Sequence, residues 1–359
     1  MKKLTILANF LTVYLNKQNM EINMKNITKV GLSALAGALA FTSVNAGEMS
    51  ISGSMEGSYT KKGGHNTSSN PLGMDKELSI TGSGELDNGI GVAYKQTTTD
   101  ALAFSDSELV FTNVPMLGDA SIAMTSTGSP ISAIDDVTPT AFEEANATVG
   151  SIDDVNGSDG TYGIRYTLAD AFGSGVKVDA MYFFQHGAGD ANADNGTASA
   201  DNGNEDGYEI TLQGSVPMVD GLSLGAGYAK LDKSAESVAN ADDMDQHEGT
   251  LYAKYSIGAL SLGVQRGVVA QAAANDTSFD STYIGISYAV SDNLSLSYNE
   301  IESEKSQEGT FVEQDMDSIS ISYTMGGMTI GIVDAEADNA AYTVGRTQSA
   351  RSVSLSVAF

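Results

Sequence analysis

From residue 47 onward, apolar and polar residues alternate with a period of two, in segments of about ten residues. Examples are "ELSITGSGEL" (77–86), "GLSLGAGYAK" (221–230) and "TYIGISYAV" (282–290). Successive side chains of a β-strand point to opposite faces, so this pattern predicts strands with one apolar and one small, polar face. A helical period is almost absent from these residues, which argues against helical bundles and α/β folds.

The connections between these segments alternate in length. Short turns such as "LDNGI" (86–90) and "MGGM" (325–328) contain Asn-Gly or Gly-Gly, the residues that two-residue hairpins require. Long polar stretches separate the other segments, for example residues 187–206 and 232–246. Short turns at one end and long loops at the other predict an up-and-down β-barrel.

The alternating segments number sixteen, an even count, as a closed antiparallel barrel of one chain requires. Fourteen or eighteen strands remain alternatives. The predicted strands begin near residues 48, 76, 89, 105, 120, 160, 175, 206, 221, 247, 259, 279, 292, 313, 327 and 346.

A soluble sandwich would show the same alternation, with the apolar face in a shared core. Several features favour a transmembrane barrel with its apolar face toward lipid and a lumen of Ser, Thr, Gly and scattered charges. The loops alternate in length, the chain ends in "RSVSLSVAF" (351–359), and tyrosines lie near strand ends, where interfacial girdles form. These tyrosines are Tyr59, Tyr94, Tyr228, Tyr288, Tyr298 and Tyr323.

The N-terminal segment has the features of a secretory signal peptide. After Met24, a basic stretch precedes the apolar residues 30–41, and "VNA" places small residues before a predicted cleavage between Ala46 and Gly47. Residues 1–46 are therefore assigned to targeting and 47–359 to one barrel domain. Residues 1–23 precede the signal, either because Met24 is the true start or because the targeting region is extended.

Charge and cysteine content exclude several functions. Cleavage after Ala46 would leave 13 basic and 45 acidic residues, a net charge of -32. Nucleic-acid binding needs clustered Lys and Arg, so this balance argues against it. The absence of Cys excludes disulfides, thiolate zinc sites and a Cys nucleophile.

In this pattern the chain resembles the trimeric general porins of Gram-negative outer membranes. The resemblance covers the signal peptide, about sixteen alternating strands, a long loop after the fifth strand and the final strand, in which Val353, Leu355, Val357 and Phe359 form the membrane-insertion signature. It implies long extracellular loops, short periplasmic turns and a water-filled channel for small hydrophilic solutes and ions. It also implies contacts with the outer-membrane assembly machinery, lipid and lipopolysaccharide, and it implies no cofactor and no catalysis.

In such porins the third extracellular loop folds into the barrel and narrows it, and residues 128–158 occupy the matching place. This segment carries no basic residue and six acidic ones, which are Asp135, Asp136, Glu143, Glu144, Asp153 and Asp154. The family usually places basic side chains opposite this loop. Strand parity points four of them into the lumen, namely Lys95, Arg165, Lys177 and Lys254.

An acidic loop opposite a basic wall would create a transverse field across the pore, and the net negative charge predicts a preference for cations. Two alternatives remain open at this point. One is a substrate-specific channel with a binding site at its narrowest part. The other is a secreted acidic adhesin or surface protein rich in β-structure.

Two arginines break the pattern. Arg351 shares its parity with Val353 and Phe359, and Arg266 follows Leu262 and Val264, so regular strands would point both toward lipid. A charge at mid-membrane costs about 2–4 kcal/mol in a barrel. We therefore expect a β-bulge at each arginine, or else a subunit interface.

No other motif indicates a metal site or an enzyme. His65, His186 and His247 lie in or beside predicted loops without metal-ligand spacing, and "DANADNGTASAD" (190–201) lacks the glycine and glutamate of a calcium loop. Weak Ca²⁺ or Mg²⁺ binding by the acidic loops is the one ion interaction that we expect.

Overall fold

The computed structural model describes residues 48–65, 70–98, 104–126, 128–158, 162–184, 204–233, 245–271 and 277–359. The predicted signal segment and its cleavage site at Ala46 and Gly47 lie outside this range. Among the described residues, no helix combines the length and the apolar character needed to cross a membrane.

Sixteen antiparallel strands form one closed barrel in which each strand pairs with its neighbours along the chain and β16 closes on β1. Both the fold and the strand number confirm the sequence prediction, and every strand begins within four residues of its predicted start. The strands are β1 Glu48–Gly64, β2 Leu72–Glu85, β3 Gly91–Thr98, β4 Phe104–Thr112, β5 Ala120–Thr125, β6 Gly163–Leu168, β7 Val176–Phe183, β8 Asn204–Ser215, β9 Leu222–Lys233, β10 Asp245–Ile257, β11 Leu260–Ala270, β12 Ser278–Ala289, β13 Leu294–Gln307, β14 Thr310–Met325, β15 Met328–Asp338 and β16 Gln348–Ala358.

The last strand completes the barrel at the end that carries the short turns. Phe359 and Gly53 exchange two backbone hydrogen bonds, of 2.9 and 3.0 Å, where β16 meets β1. Val353, Leu355 and Val357 are exposed on the outer surface, whereas Ser352 and Ser354 are buried on the inner face. The terminal stretch is therefore an amphipathic strand, as its alternation predicts.

The expected bulges at the two arginines are wrong. The register of β16 runs without interruption through Arg351 to both neighbouring strands, and that of β11 runs likewise through Arg266. Both side chains point outward, and each is paired with an aspartate of the adjacent strand, Asp334 at 2.5 Å in the first case and Asp280 in the second.

The chemistry of the two faces changes along the strands while their geometry stays regular. Near the short-turn end the outer face is apolar, but toward the loop end it carries acidic residues, such as Glu302 opposite Asp315. In the same half of the barrel the inner face becomes apolar, with Val333 and Ala350 fully or almost fully buried. The outward arginines belong to this inverted half, which explains why they need no bulge.

The inner apolar face forms the core of the molecule. Two clusters of buried side chains lie inside the barrel, and residues of the 126–162 connection contribute to both. The first contains Ala145, Val149, Tyr283, Ile301, Met316, Val333, Ala335, Ala337, Ala340 and Ala350. The second contains Ile131, Val155, Phe183, Ala229, Leu231, Val269 and Phe279. The alternating pattern predicted a lumen of small polar residues and charges and did not indicate this core.

Candidate functional site

The connection between β5 and β6 folds into the barrel. We call its described residues 128–158 the inward loop. The loop contains a 3₁₀ helix, Ser132–Ile134, and a short α-helix, Ala145–Thr148. It crosses the inner wall from β8 to β16 and returns, and side chains of that wall bond its backbone at intervals. A loop inside a barrel has lost water as a partner for its N–H and C=O groups, so these bonds fix its path.

Glu209 of β8 binds both ends of the inward loop. This side chain is 1% exposed. One carboxylate oxygen accepts from the Ser129 hydroxyl and, at 3.1 Å, from the Ile131 N–H. The other accepts from the Ser158 hydroxyl and, at 2.8 Å, from the Ser158 N–H. One charge thus joins the beginning and the end of the loop to the wall.

Glu248 of β10 holds the returning part of the loop. Its Oε2 atom accepts hydrogen bonds of 2.7 Å from the N–H groups of both Asn156 and Gly157. Hydrogen bonds to a charged acceptor are stronger than neutral ones, so Glu248 and Glu209 are the firmest attachments in this region.

Neutral side chains hold the middle of the loop. Gln265 of β11 accepts from the Val137 N–H at 2.8 Å and donates to the Ile134 carbonyl at 2.8 Å. Farther along, the hydroxyls of Ser297 and Ser320 accept from consecutive N–H groups, those of residues 141 and 142, at 2.9 and 3.1 Å. The small polar residues of the inner face therefore act as partners for the loop backbone.

Glycine on the wall makes room for the loop. A Cβ atom at Gly331 of β15 would lie 2.4 Å from the ring of Phe142. At Gly263 of β11 it would lie 2.3 Å from Pro139. Any side chain at these two positions would push the loop away from the wall.

The acids of the inward loop occupy different environments. Asp136 and Asp153 are exposed to the lumen, whereas Glu144 is buried. Glu144 accepts from the Thr138 hydroxyl at 3.3 Å, and its other oxygen has no hydrogen-bond partner within the described part of the chain. Asp135 accepts from the Asp136 N–H at 2.7 Å.

Burial and like charges raise the pKa of several of these groups. Burial, helped by the charges of Asp135 and Asp136, raises the pKa of Asp154 to about 8. Burial and the neighbouring Asp136 also raise the pKa of Glu144. The pKa of Glu143 is raised first by burial and then by the charge of Glu56. Part of the negative charge of this loop is therefore absent at neutral as well as at acidic pH.

The four predicted basic residues all lie at inward positions of their strands, but two of them are neutralised locally. Asp179 of β7 receives Arg165 at 2.5 Å and Lys177 at 2.7 Å. Lys254 lies 5.6 Å from the ring centroid of Tyr252, and Lys95 is directly opposite Glu108 in the sheet register.

The expected contrast between an acidic loop and a basic wall therefore needs correction. Glu143 is close enough to Glu56 of β1 for that charge to raise its pKa. In the sheet register Glu56 is directly opposite Asp75, and Glu77 accepts from Ser79 at 3.2 Å on the same inner face. Acidic residues thus line the lumen on the loop and on the wall.

Sequence reasoning missed the wall residues that hold the loop and the aspartate that neutralises two bases. These are Glu209, Glu248, Gln265, Gln314, Gln348 and Asp179. Glu209 and Gln265 are long polar residues at inward positions with small residues on either side of them on the same face, and that contrast is the signal that could have marked them. Asp179 and Gln314 each have a methionine next to them on the inner face and show no such contrast. No group of three or more His, Asp or Glu side chains suited to a metal ion is found in the described ranges.

Comparison with known proteins agrees with this architecture. The Gram-negative porin family matches residues 31–358, whereas none of the curated proteins matches the sequence. An anion-selective porin from Comamonas acidovorans is 16% identical, with 87% of this chain and 100% of that one covered and a TM-score of 0.61.

Two further structures show the same fold. OmpF of Salmonella typhi, in complex with daunomycin, is 12% identical, with 87% and 97% of the two chains covered and a TM-score of 0.59. The trimer form of OmpT, an outer membrane protein of Vibrio cholerae, is 11% identical, with 88% and 100% covered and a TM-score of 0.56. The family match over nearly the whole chain, together with the closed sixteen-stranded barrel, shows that this chain belongs to the Gram-negative porin family and is an outer-membrane β-barrel protein.

Proposed function

We propose that this porin is a water-filled channel for passive diffusion of small hydrophilic solutes and ions, that it prefers cations, and that the inward loop is its constriction. The observation that carries the proposal is the attachment of residues 128–158 to the inner wall from β8 to β16. A loop held along one side of a barrel narrows the lumen and leaves the remainder open to water.

The cation preference rests on the distribution of charge. The loop carries no base, its acids Asp136 and Asp153 are exposed to the lumen, and Glu56, Asp75 and Glu77 lie on the inner face of β1 and β2. Asp179 is bonded to Arg165 and Lys177, which reduces their attraction for anions. A lumen with a net negative charge concentrates cations and excludes anions. Because the structurally similar porin of Comamonas acidovorans is anion-selective, selectivity must follow from such side chains and not from the fold.

Liposome swelling tests the diffusion channel. Vesicles that contain the purified protein should swell in neutral sugars at rates that fall smoothly with sugar size. Swelling no faster than in protein-free vesicles would refute a channel. Rapid swelling with one solute only, together with saturable block of conductance by that solute, would support the alternative of a substrate-specific channel.

We also propose a homotrimer, because a structurally similar protein is described in a trimer form. Chemical cross-linking in detergent should give a three-subunit species that heat converts to the monomer. The same cross-linking pattern before and after heating would contradict it.

Assembly in the outer membrane should depend on the end of β16. The exposed Phe359 follows the outward residues Val357, Leu355 and Val353. We propose that the outer-membrane assembly machinery recognises this end of β16. Deletion of Phe359 should reduce the folded protein in outer-membrane fractions. An unchanged yield would argue against this role.

Weak Ca²⁺ or Mg²⁺ binding at acidic surfaces is a further proposal. On the outer face near the loop end, like charges oppose each other across strands, as Glu300 does Asp317 and Glu302 does Asp315. Opposed like charges destabilise a sheet unless cations screen them. Divalent salt should therefore raise the melting temperature more than NaCl of equal ionic strength, and an equal rise would contradict binding.

A further inference from the structure

The connection between β15 and β16 also turns into the barrel. We call its residues 339–347 the second inward loop. Ala340 is 0% exposed, and the ring of Tyr342 packs against that of Phe279 of β12, with centroids 5.3 Å apart. A connection that only crossed the rim would leave such side chains in water, so Ala340 and Tyr342 belong to the interior of the barrel, whereas Val344 is 79% exposed.

The backbone of this loop adopts an unfavourable conformation. Asn339, Ala341 and Tyr342 have φ values of 50°, 53° and 52°. Asparagine tolerates this left-handed region, but alanine and tyrosine rarely adopt it because Cβ approaches the backbone. Such a conformation persists only where surrounding contacts impose it, and it often marks a functional segment.

The contacts that hold this backbone conformation join the second inward loop to the inward loop, residues 128–158. The Tyr342 hydroxyl oxygen accepts from the Asp153 N–H at 3.3 Å and is hydrogen-bonded to the Ser303 hydroxyl of β13 at 2.8 Å. Tyr342 thus joins the second inward loop to Asp153 of the inward loop and to β13 of the barrel wall.

Gln314 of β14 makes a second connection between the two loops. Its amide nitrogen donates to the Ser151 carbonyl of the first loop at 3.1 Å, while its oxygen accepts from the Ala341 N–H of the second. Gln314 is fully buried, so neither bond can be replaced by water without movement of a loop.

We propose that the second inward loop is a latch that holds residues 150–154 of the constriction loop and so determines the width of the pore. Tyr342 and Gln314 are the positioning residues. Release of the latch relaxes its backbone, frees residues 150–154 and widens the lumen. The proposal rests on the channel function proposed above and adds a second element that controls pore size.

Single-channel recordings test the latch with Tyr342→Phe and Gln314→Leu. Each variant removes two hydrogen bonds and should raise the occupancy of a higher-conductance state about 25-fold. Tyr323→Phe, on the outer surface of β14, is the matched control and should behave like wild type. Wild-type protein without conductance would refute the channel itself, whereas wild-type channels with indistinguishable variants would refute only the latch.

Thiol labelling gives a second measurement, because the chain contains no cysteine. In an Ala340→Cys protein the buried thiol should react slowly with a membrane-impermeant reagent. Addition of Tyr342→Phe should raise the rate about 25-fold, because it removes two hydrogen bonds. Equal rates in folded, heat-modifiable proteins would show that Tyr342 does not control release.

Discussion

Replacing Glu209 by glutamine should loosen the constriction loop at both ends. The new amide can bond the hydroxyl of Ser129 or Ser158, which can turn to accept, but it leaves the backbone N–H of Ile131 or Ser158 without an acceptor. An unsatisfied buried donor costs about 1–3 kcal/mol, so the ratio of released to attached loop should rise about 5- to 150-fold. The loss of the charge weakens the remaining bonds in the same direction.

Single-channel recordings in planar bilayers would show the release as higher mean conductance and larger current fluctuations. Glu77→Gln is the matched control, because Glu77 is an inward carboxylate bonded to Ser79 of its own strand. Conductance and noise of Glu209→Gln equal to those of wild type would refute the reasoning that this carboxylate holds the loop. An increase of the same size in Glu77→Gln would assign the effect to lumen charge instead.

The permeability of K⁺ relative to Cl⁻ should rise between pH 5 and pH 9, because the Asp154 carboxyl is neutral below its pKa of about 8 and negative above it. Reversal potentials measured across this pH range should change less in Asp154→Asn than in wild type. Arg351→Ala should lower the free energy of unfolding by no more than about 1 kcal/mol in urea titrations, because its pair with Asp334 is 68% and 40% exposed. Gly331→Val should push Phe142 off the wall into the lumen and lower conductance, whereas a normal conductance would mean that the ring has room to move.

The alternating pattern was sufficient to predict the barrel. Each strand shows the pattern locally, and hairpin turns such as residues 86–90 set where neighbours meet, as in the 2.8 Å hydrogen bond from the Leu86 N–H to the Ile90 carbonyl. The position of the inward loop also followed from local features, namely its length and its place after the fifth strand.

The interior could not be predicted in the same way. A period of two shows which residues share a face, but it does not say whether that face meets lipid, water or another segment. Near the loop end the inner face packs on two loops, so Val333 and Ala350 are inward while Arg351 is outward. The expected bulge at Arg351 assumed that one environment continues along the whole strand.

The partners of the loop depend on contacts between residues far apart in the chain. Glu209 and Ser129 are separated by 80 residues, and Gln265 and Val137 by 128. No local sequence pattern indicates which residues form such a pair. The same is true of Asp179, which decides whether Arg165 and Lys177 act on solutes or on a neighbouring aspartate.

The reversal potential of the purified protein in a planar bilayer under a KCl gradient is the most direct test of this account. Discrete single-channel steps with a reversal potential of cation sign at neutral pH are the predicted result. Steps with a reversal potential of anion sign would contradict the role assigned to the acidic lumen, and the absence of steps would contradict the channel itself.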